Sequence, residues 1–166
     1  MNTSLLKKLT LAALVAGTFI SAQAAWKTGD ALPDLAGFKL EGPLPAALQG
    51  KVVVLDFWAS WCGPCKESFP AMNELQKKYG PQGLVILGIN EDEDAADMQD
   101  FLKQNAAAFA VVRDAKQKLV ATAGIQTMPS SFVFDAAGTV RFTHTGFHGA
   151  ETRKQYETEI ESLLKK

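Results

Sequence analysis

Apolar positions along this chain come in two periods, and their alternation predicts the class of fold. Lys51-Val-Val-Val-Leu-Asp-Phe-Trp58 is a nearly unbroken apolar run. Such a run suits a strand covered on both faces in a parallel sheet. Gly83 to Ile89 repeats the pattern. Between them, the segment from Cys62 to about Tyr79 predicts a helix, stopped by Gly80-Pro81 and with a kink expected at Pro70. Further on, Glu91 to Gln104 predicts a helix with Phe101 and Leu102 facing inward, Ala108 to Val112 a short strand, and Lys116 to Ala123 a short helix. Ser131 to Asp135 and Thr139 to Thr145 flank the turn Ala136-Ala-Gly138 and predict an antiparallel hairpin. A last helix is expected from about Glu151 to Leu164. The order is β-α-β-α-β-α-β-β-α, an α/β class with a central mixed sheet flanked by helices.

The two ends of this pattern differ from its middle. Residues 26–50, rich in Gly, Pro and short apolar stretches, predict an irregular or short-hairpin lead-in. Before it, Lys7-Lys8, the apolar run Leu9 to Ile20 and Ala22-Gln23-Ala24 have the three regions of a secretory signal peptide. The run is short for a membrane span. Cleavage after Ala24 competes with an uncleaved membrane anchor and with a buried amphipathic helix. The division expected is therefore a signal peptide, 1–24, and one domain, 25–166. No second apolar segment of spanning length follows, so the processed chain is expected to be soluble in the periplasm or its equivalent.

Composition changes this picture little. The 166 residues are 47% hydrophobic and 21% charged, ordinary for one globular domain. Formal net charge is −1, and loss of Lys7 and Lys8 leaves a still more acidic chain. No basic footprint for nucleic acid is present. The acidic run Glu91-Asp92-Glu93-Asp94 invites a cation site, but acids in a first helical turn complement the helix dipole without any ligand, and that is the reading preferred.

Candidate chemistry is concentrated in the chain's two cysteines. Cys62 and Cys65 close too small a loop to staple the fold. Set three apart at a helix start, they lie on one face, within bridging distance. Cys62 falls at the N-terminus, where free N–H groups and the dipole favour a thiolate, which is the nucleophile. Gly63-Pro64 lies between them, with Pro64 near the first helical positions, where a missing N–H costs nothing. In this reading Cys62 attacks a disulfide and Cys65 resolves the mixed disulfide. A rival is formal: Cys62-x2-Cys65 with His144-x3-His148 matches a zinc pattern, although the gap between the halves is far too long. The histidines are then expected as surface or loop residues on the late hairpin. Asp56 interrupts an apolar run and is followed by two aromatics, so a buried carboxyl is expected, against a strand-end alternative. Trp61 is expected to be partly exposed beside the nucleophile, and Trp58 to be packing. Lys66 either adds positive potential or is a solvated helix charge.

Asp56-Phe-Trp-Ala-Ser-Trp-Cys-Gly-Pro-Cys-Lys66 resembles the active-site stretch of thioredoxin nearly residue for residue. The leader, the lead-in and the extra helix and strand around 91–112 resemble the TlpA/ResA-like branch of extracytoplasmic thiol–disulfide oxidoreductases. The resemblance covers nearly all of the processed chain. It implies a thioredoxin fold with a central α/β insert and a short N-terminal extension. It also implies Asp56 as a buried acid serving Cys65, and a cis proline at Pro129 in Thr127-Met-Pro-Ser-Ser131. Without it, Pro129 reads equally as an ordinary start of a strand. The backbone of Met128 would pair with substrate, and Trp61, Gly63 and Pro64 would line the groove. No cofactor is implied. Partners implied are disulfide-bearing proteins and a membrane electron donor; a monomer is expected. The reducing direction is favoured by Gly63-Pro64, with oxidase or isomerase as the alternative and a Cys/His metal-binding module as a rival of another class. Two departures stand out. Where relatives often carry Glu, this chain has Ser68, with Glu67 one residue earlier. Its Thr-Met-Pro-Ser-Ser also differs from the Gly-x-Pro-Glu-Thr type of the cytochrome-maturation subgroup.

Overall fold

The computed structural model describes residues 25–165, so the leader segment 1–24 lies outside the described residues. The strands are β1 (Val52–Trp58), β2 (Leu84–Asn90), β3 (Ala110–Arg113), β4 (Ser130–Phe134) and β5 (Val140–Thr145). The helices are α1 (Gly63–Tyr79), α2 (Ala95–Gln104), α3 (Lys118–Ala123) and α4 (Ala150–Leu164). The sheet order is β3-β2-β1-β4-β5, parallel from β3 to β1 and antiparallel from β1 to β5. This is the mixed sheet flanked by helices that the apolar pattern predicts.

β1 is the central strand, and its alternation divides the core. Val52, Val54 and Trp58 pack with Phe69, Met72 and Leu75 of α1 and with Tyr156 and Ile160 of α4. Val53, Leu55 and Phe57 pack with Phe132, Phe134, and Leu119 and Ala123 of α3. All seven β1 residues are buried, Asp56 among them. α1 runs uninterrupted through Pro70.

Gly88 shows how tightly the first layer closes. A Cβ there would lie 3.0 Å from both Phe109 Cε2 and Trp58 Nε1. Gly88→Ala is expected to destabilise the protein by about 1–3 kcal/mol, the usual cost of overpacking a filled core. A urea or thermal melt checks this, and unchanged stability would mean that the two rings move aside freely.

Of the two forms expected for the lead-in, irregular or hairpin, the structure has the irregular one. It holds one 3₁₀ turn, Leu35–Phe38, capped by Asp34. Its backbone bridges opposite sheet edges, through Ala31 to Thr139 beside β5 and through Glu41 to Arg113 of β3. Trp26 anchors it, packing edge-on to Phe132 at 5.1 Å and to Phe57 and Phe134. Without strands of its own, the segment gains order by satisfying backbone groups on both exposed edges.

The second difference lies at α2, which begins at Ala95 with Asp94 as N-cap. Glu91 and Asp92 are therefore not in its first turn. They continue from the end of β2 and are 5% and 2% exposed. The short-range signal of acids before an apolar helix identifies the cap correctly but extends the helix too far.

Candidate active site

β1 ends at Trp58, and a turn closed by Cys62 N–H to Ala59 C=O carries the chain into α1. Asp92 holds this turn. Its carboxylate accepts from the Ser60 N–H at 3.0 Å and from the Ser60 hydroxyl at 3.0 Å, and Asn90 Nδ2 donates to it at 2.8 Å. Asp92 thus positions the segment that presents Trp61 and Cys62. The chain's local pattern does not reveal this, because the partners lie 32 residues apart.

Cys62 is the N-cap of α1, with Gly63 and Pro64 opening the helix. The Cys65 N–H donates to Cys62 Sγ at 3.2 Å. The two cysteines are joined in a disulfide, with Cα atoms 5.2 Å apart. Cys62 is 6% exposed and Cys65 fully buried, with Gly63 and Pro64 exposed between them. A free N–H aimed at the first sulfur, at the positive end of the helix dipole, stabilises negative charge there and not at the second.

Asp56 shares its face of β1 with Val54 and Trp58, the face that packs against the two cysteines. Neither carboxyl oxygen has a hydrogen-bond partner. Burial pushes its pKa up to about 7, against a smaller downward pull from Ser131, its partner in the β1–β4 register. The Ser131 hydroxyl is hydrogen-bonded to the Tyr156 hydroxyl of α4.

Met128-Pro129 is a cis peptide leading into β4. The Ser130 hydroxyl donates to Thr127 C=O at 2.8 Å and the Gly146 N–H to Pro129 C=O at 2.8 Å, which ties the turn to both neighbours. Met128 is half-buried against the core layer that holds the cysteines. Ser68 is buried and donates to Cys65 C=O, while Glu67 is exposed on the helix surface. Lys66 is exposed on the helix surface. Trp58 is fully buried; Trp61 is 71% exposed, the one large apolar side chain so exposed among the described residues.

His144 departs from its expected surface position. Its side chain is 9% exposed, stacks on Tyr156 and pairs through Nε2 with Glu159 at 2.7 Å. Among the described residues no His, Cys, Asp and Glu group of three is arranged to hold a metal.

A protein-family model described as Redoxin matches residues 27–160, the strand, helix and cysteine frame just described. The chain belongs to that family. Thiol-disulfide oxidoreductase ResA of Bacillus thuringiensis (strain Al Hakam) is 37% identical over 80% of this chain and 71% of its own length. ResA of Geobacillus thermodenitrificans is 33% identical, covering 89% of this chain and 88% of its own. Among solved structures, a putative thiol:disulfide interchange protein DsbE from Chlorobium tepidum superposes with a TM-score of 0.77 at 38% identity, covering 84% of this chain and 99% of that one. This redoxin chain is a thiol–disulfide oxidoreductase of ResA/DsbE type, with Cys62–Cys65 as its Cys-x-x-Cys pair.

Proposed function

We propose that the protein reduces disulfides of exported polypeptides in the periplasm. The observation that carries the mechanism is the asymmetry of the pair: Cys62 is the helix cap that accepts the Cys65 N–H, and Cys65 is fully buried. In the reduced protein the Cys62 thiolate attacks one sulfur of the substrate disulfide. That S–S bond breaks, a mixed disulfide forms, and the second substrate sulfur leaves as a thiolate. Cys65 then loses its proton to Asp56 and attacks Cys62 Sγ, which releases the reduced substrate and leaves the Cys62–Cys65 disulfide. Two electrons have passed from protein to substrate.

The substrate chain would lie along Trp61, Gly63 and Pro64, with the backbone of Met128 before cis Pro129 pairing with it. An oxidised enzyme needs electrons to act again, and a periplasm poised toward oxidation does not supply them. A membrane electron donor is therefore part of the proposal, as is export through the leader at 1–24. Among the described residues no helix is long and apolar enough to cross a membrane. The protein acts as a monomer without a cofactor in this proposal.

Direction rests on Gly63-Pro64, the dipeptide of strongly reducing pairs. The expected potential lies between those of thioredoxin and the glutaredoxins, roughly −200 to −270 mV. Equilibration with glutathione buffers measures it. A value near about −120 mV, that of a strong oxidant, would reverse the assignment to a disulfide oxidase.

A further inference from the structure

On the Trp61 side, the carboxyl ends of the strands border a cavity of about 370 Å³ lined by Trp61, Glu91, Asp92, Glu93, Asp97 and Gln117. Two of its features bear on what it could receive. One is Trp61 itself, an indole presented to solvent next to the nucleophile. The other is Glu91, 5% exposed, with neither carboxyl oxygen hydrogen-bonded. An unpartnered buried carboxyl is costly and calls for a function.

The neighbouring charges do not satisfy Glu91. Asp92 is engaged with Ser60 and Asn90. Asp114, from the loop after β3, accepts the N–H groups of Lys118, Leu119 and Val120. The one buried cation nearby, Arg113, is bonded to Glu41 and to the carbonyls of Asp92 and Glu93. Glu93 and Asp97 are exposed at the rim. Among the described residues Glu91 forms no ion pair. Among the described residues that line it, four are acidic and none is positively charged.

We propose that this cavity receives an arginine side chain of the substrate polypeptide, close in sequence to the cysteine being reduced, stacked on Trp61 and paired with Glu91. The proposal rests on the exchange reading and adds a substrate preference to it. Arginine fits better than lysine. Its planar guanidinium stacks on an aromatic face, is weakly hydrated, forks onto a carboxylate and stays charged at every relevant pH.

Proton linkage follows. Burial, with the negative charges of Asp114 and Asp92, pushes Glu91 up to about 9. At neutral pH it holds a proton, which the arriving guanidinium displaces to solvent. Only the ionised form pairs with the cation, so the preference for arginine should strengthen as pH rises from 7 toward 9.

The test uses the reduced protein and short disulfide peptides that differ at one residue beside the cysteine: arginine, or citrulline as its neutral isostere. The ratio of their second-order rate constants with the reduced protein, each reaction being a single two-electron exchange, cancels the shared pH dependence of thiolate attack. We expect arginine to be favoured roughly five- to tenfold at pH 8, as a stacked and paired guanidinium warrants. The ratio should rise between pH 7 and 9, and E91Q should abolish both the preference and its pH dependence. Equal rates for the two peptides across that range in the wild-type protein would overturn the proposal, whatever the fate of E91Q. A preference kept in folded E91Q would overturn it too. Failure to reduce either peptide would overturn the exchange reading as well, and so is distinguishable from equal reduction of both.

Discussion

Cys62→Ser is expected to lower disulfide exchange by at least about 1,000-fold, because a serine hydroxyl does not ionise near neutral pH and cannot replace the attacking thiolate. Cys65→Ser should behave differently. Attack by Cys62 is retained, but nothing resolves the product, so mixed disulfides accumulate on Cys62. The expectation comes from the geometry of the helix start. The Cys65 N–H is aimed at Cys62 Sγ, and Cys65 itself has no exposed surface. Mass spectrometry of each variant after incubation with a disulfide peptide would show one adduct on the Cys65→Ser protein and none on the other. Alkylation of the reduced wild-type protein gives an independent check. Faster labelling of Cys65 than of Cys62 at pH 7 would reverse the roles.

Asp56→Asn is expected to raise the melting temperature at pH 7 while slowing resolution by Cys65. Asp56 is fully buried, neither oxygen has a partner, and its pKa is pushed up to about 7 from an ordinary 3.8. The unfolded chain therefore ionises Asp56 at a lower pH than the folded one does. Below about pH 3 both states hold the proton and the group costs nothing through linkage. The cost grows as pH rises from there, and levels off above the folded value near 7. By pH 7 it amounts to up to about 4 kcal/mol at about 1.4 kcal/mol per unit. Asparagine escapes that cost but still buries an amide, so a gain of about 2 kcal/mol is a reasonable expectation. Melts of both proteins from pH 3 to pH 8 should differ least at the acid end and separate toward neutrality. Stopped-flow reduction of a model disulfide should show the second step slowed at least about tenfold, as loss of a proton acceptor in a transfer step commonly does. A constant stability difference at all pH values, with an unchanged rate, would place Asp56 outside the mechanism.

Much of the frame was legible along the chain because it depends on short-range pattern. The apolar runs at 51–58 and 83–89 suit strands buried on both sides, and they supply β1 and β2, the paired centre of the sheet. Asp56 was legible for the same reason: it interrupts such a run, which favoured burial over a strand end, and it is fully buried. The cysteines announced their chemistry through spacing and Pro64. The lead-in was not legible, since its order comes from edges formed by residues around 113 and 139. His144 was misplaced as a surface residue because its cover, Tyr156 and Glu159, arrives with the last helix.

The sequence by itself determined the α/β class, the order of elements, the Cys-x-x-Cys pair and a buried carboxyl in the central strand, because each follows from interactions among near neighbours: periodicity, caps and a dipole acting over one turn. Tertiary structure alone decided what surrounds them. Asp92 holds the Ser60 turn, and Glu91 is buried without a partner beside Trp61; both were read as helix-start acids until β1, β2 and β3 came together. The physical reason is that the partners and proton affinities of these two acids are set by groups distant in the chain, of which a local pattern holds no record.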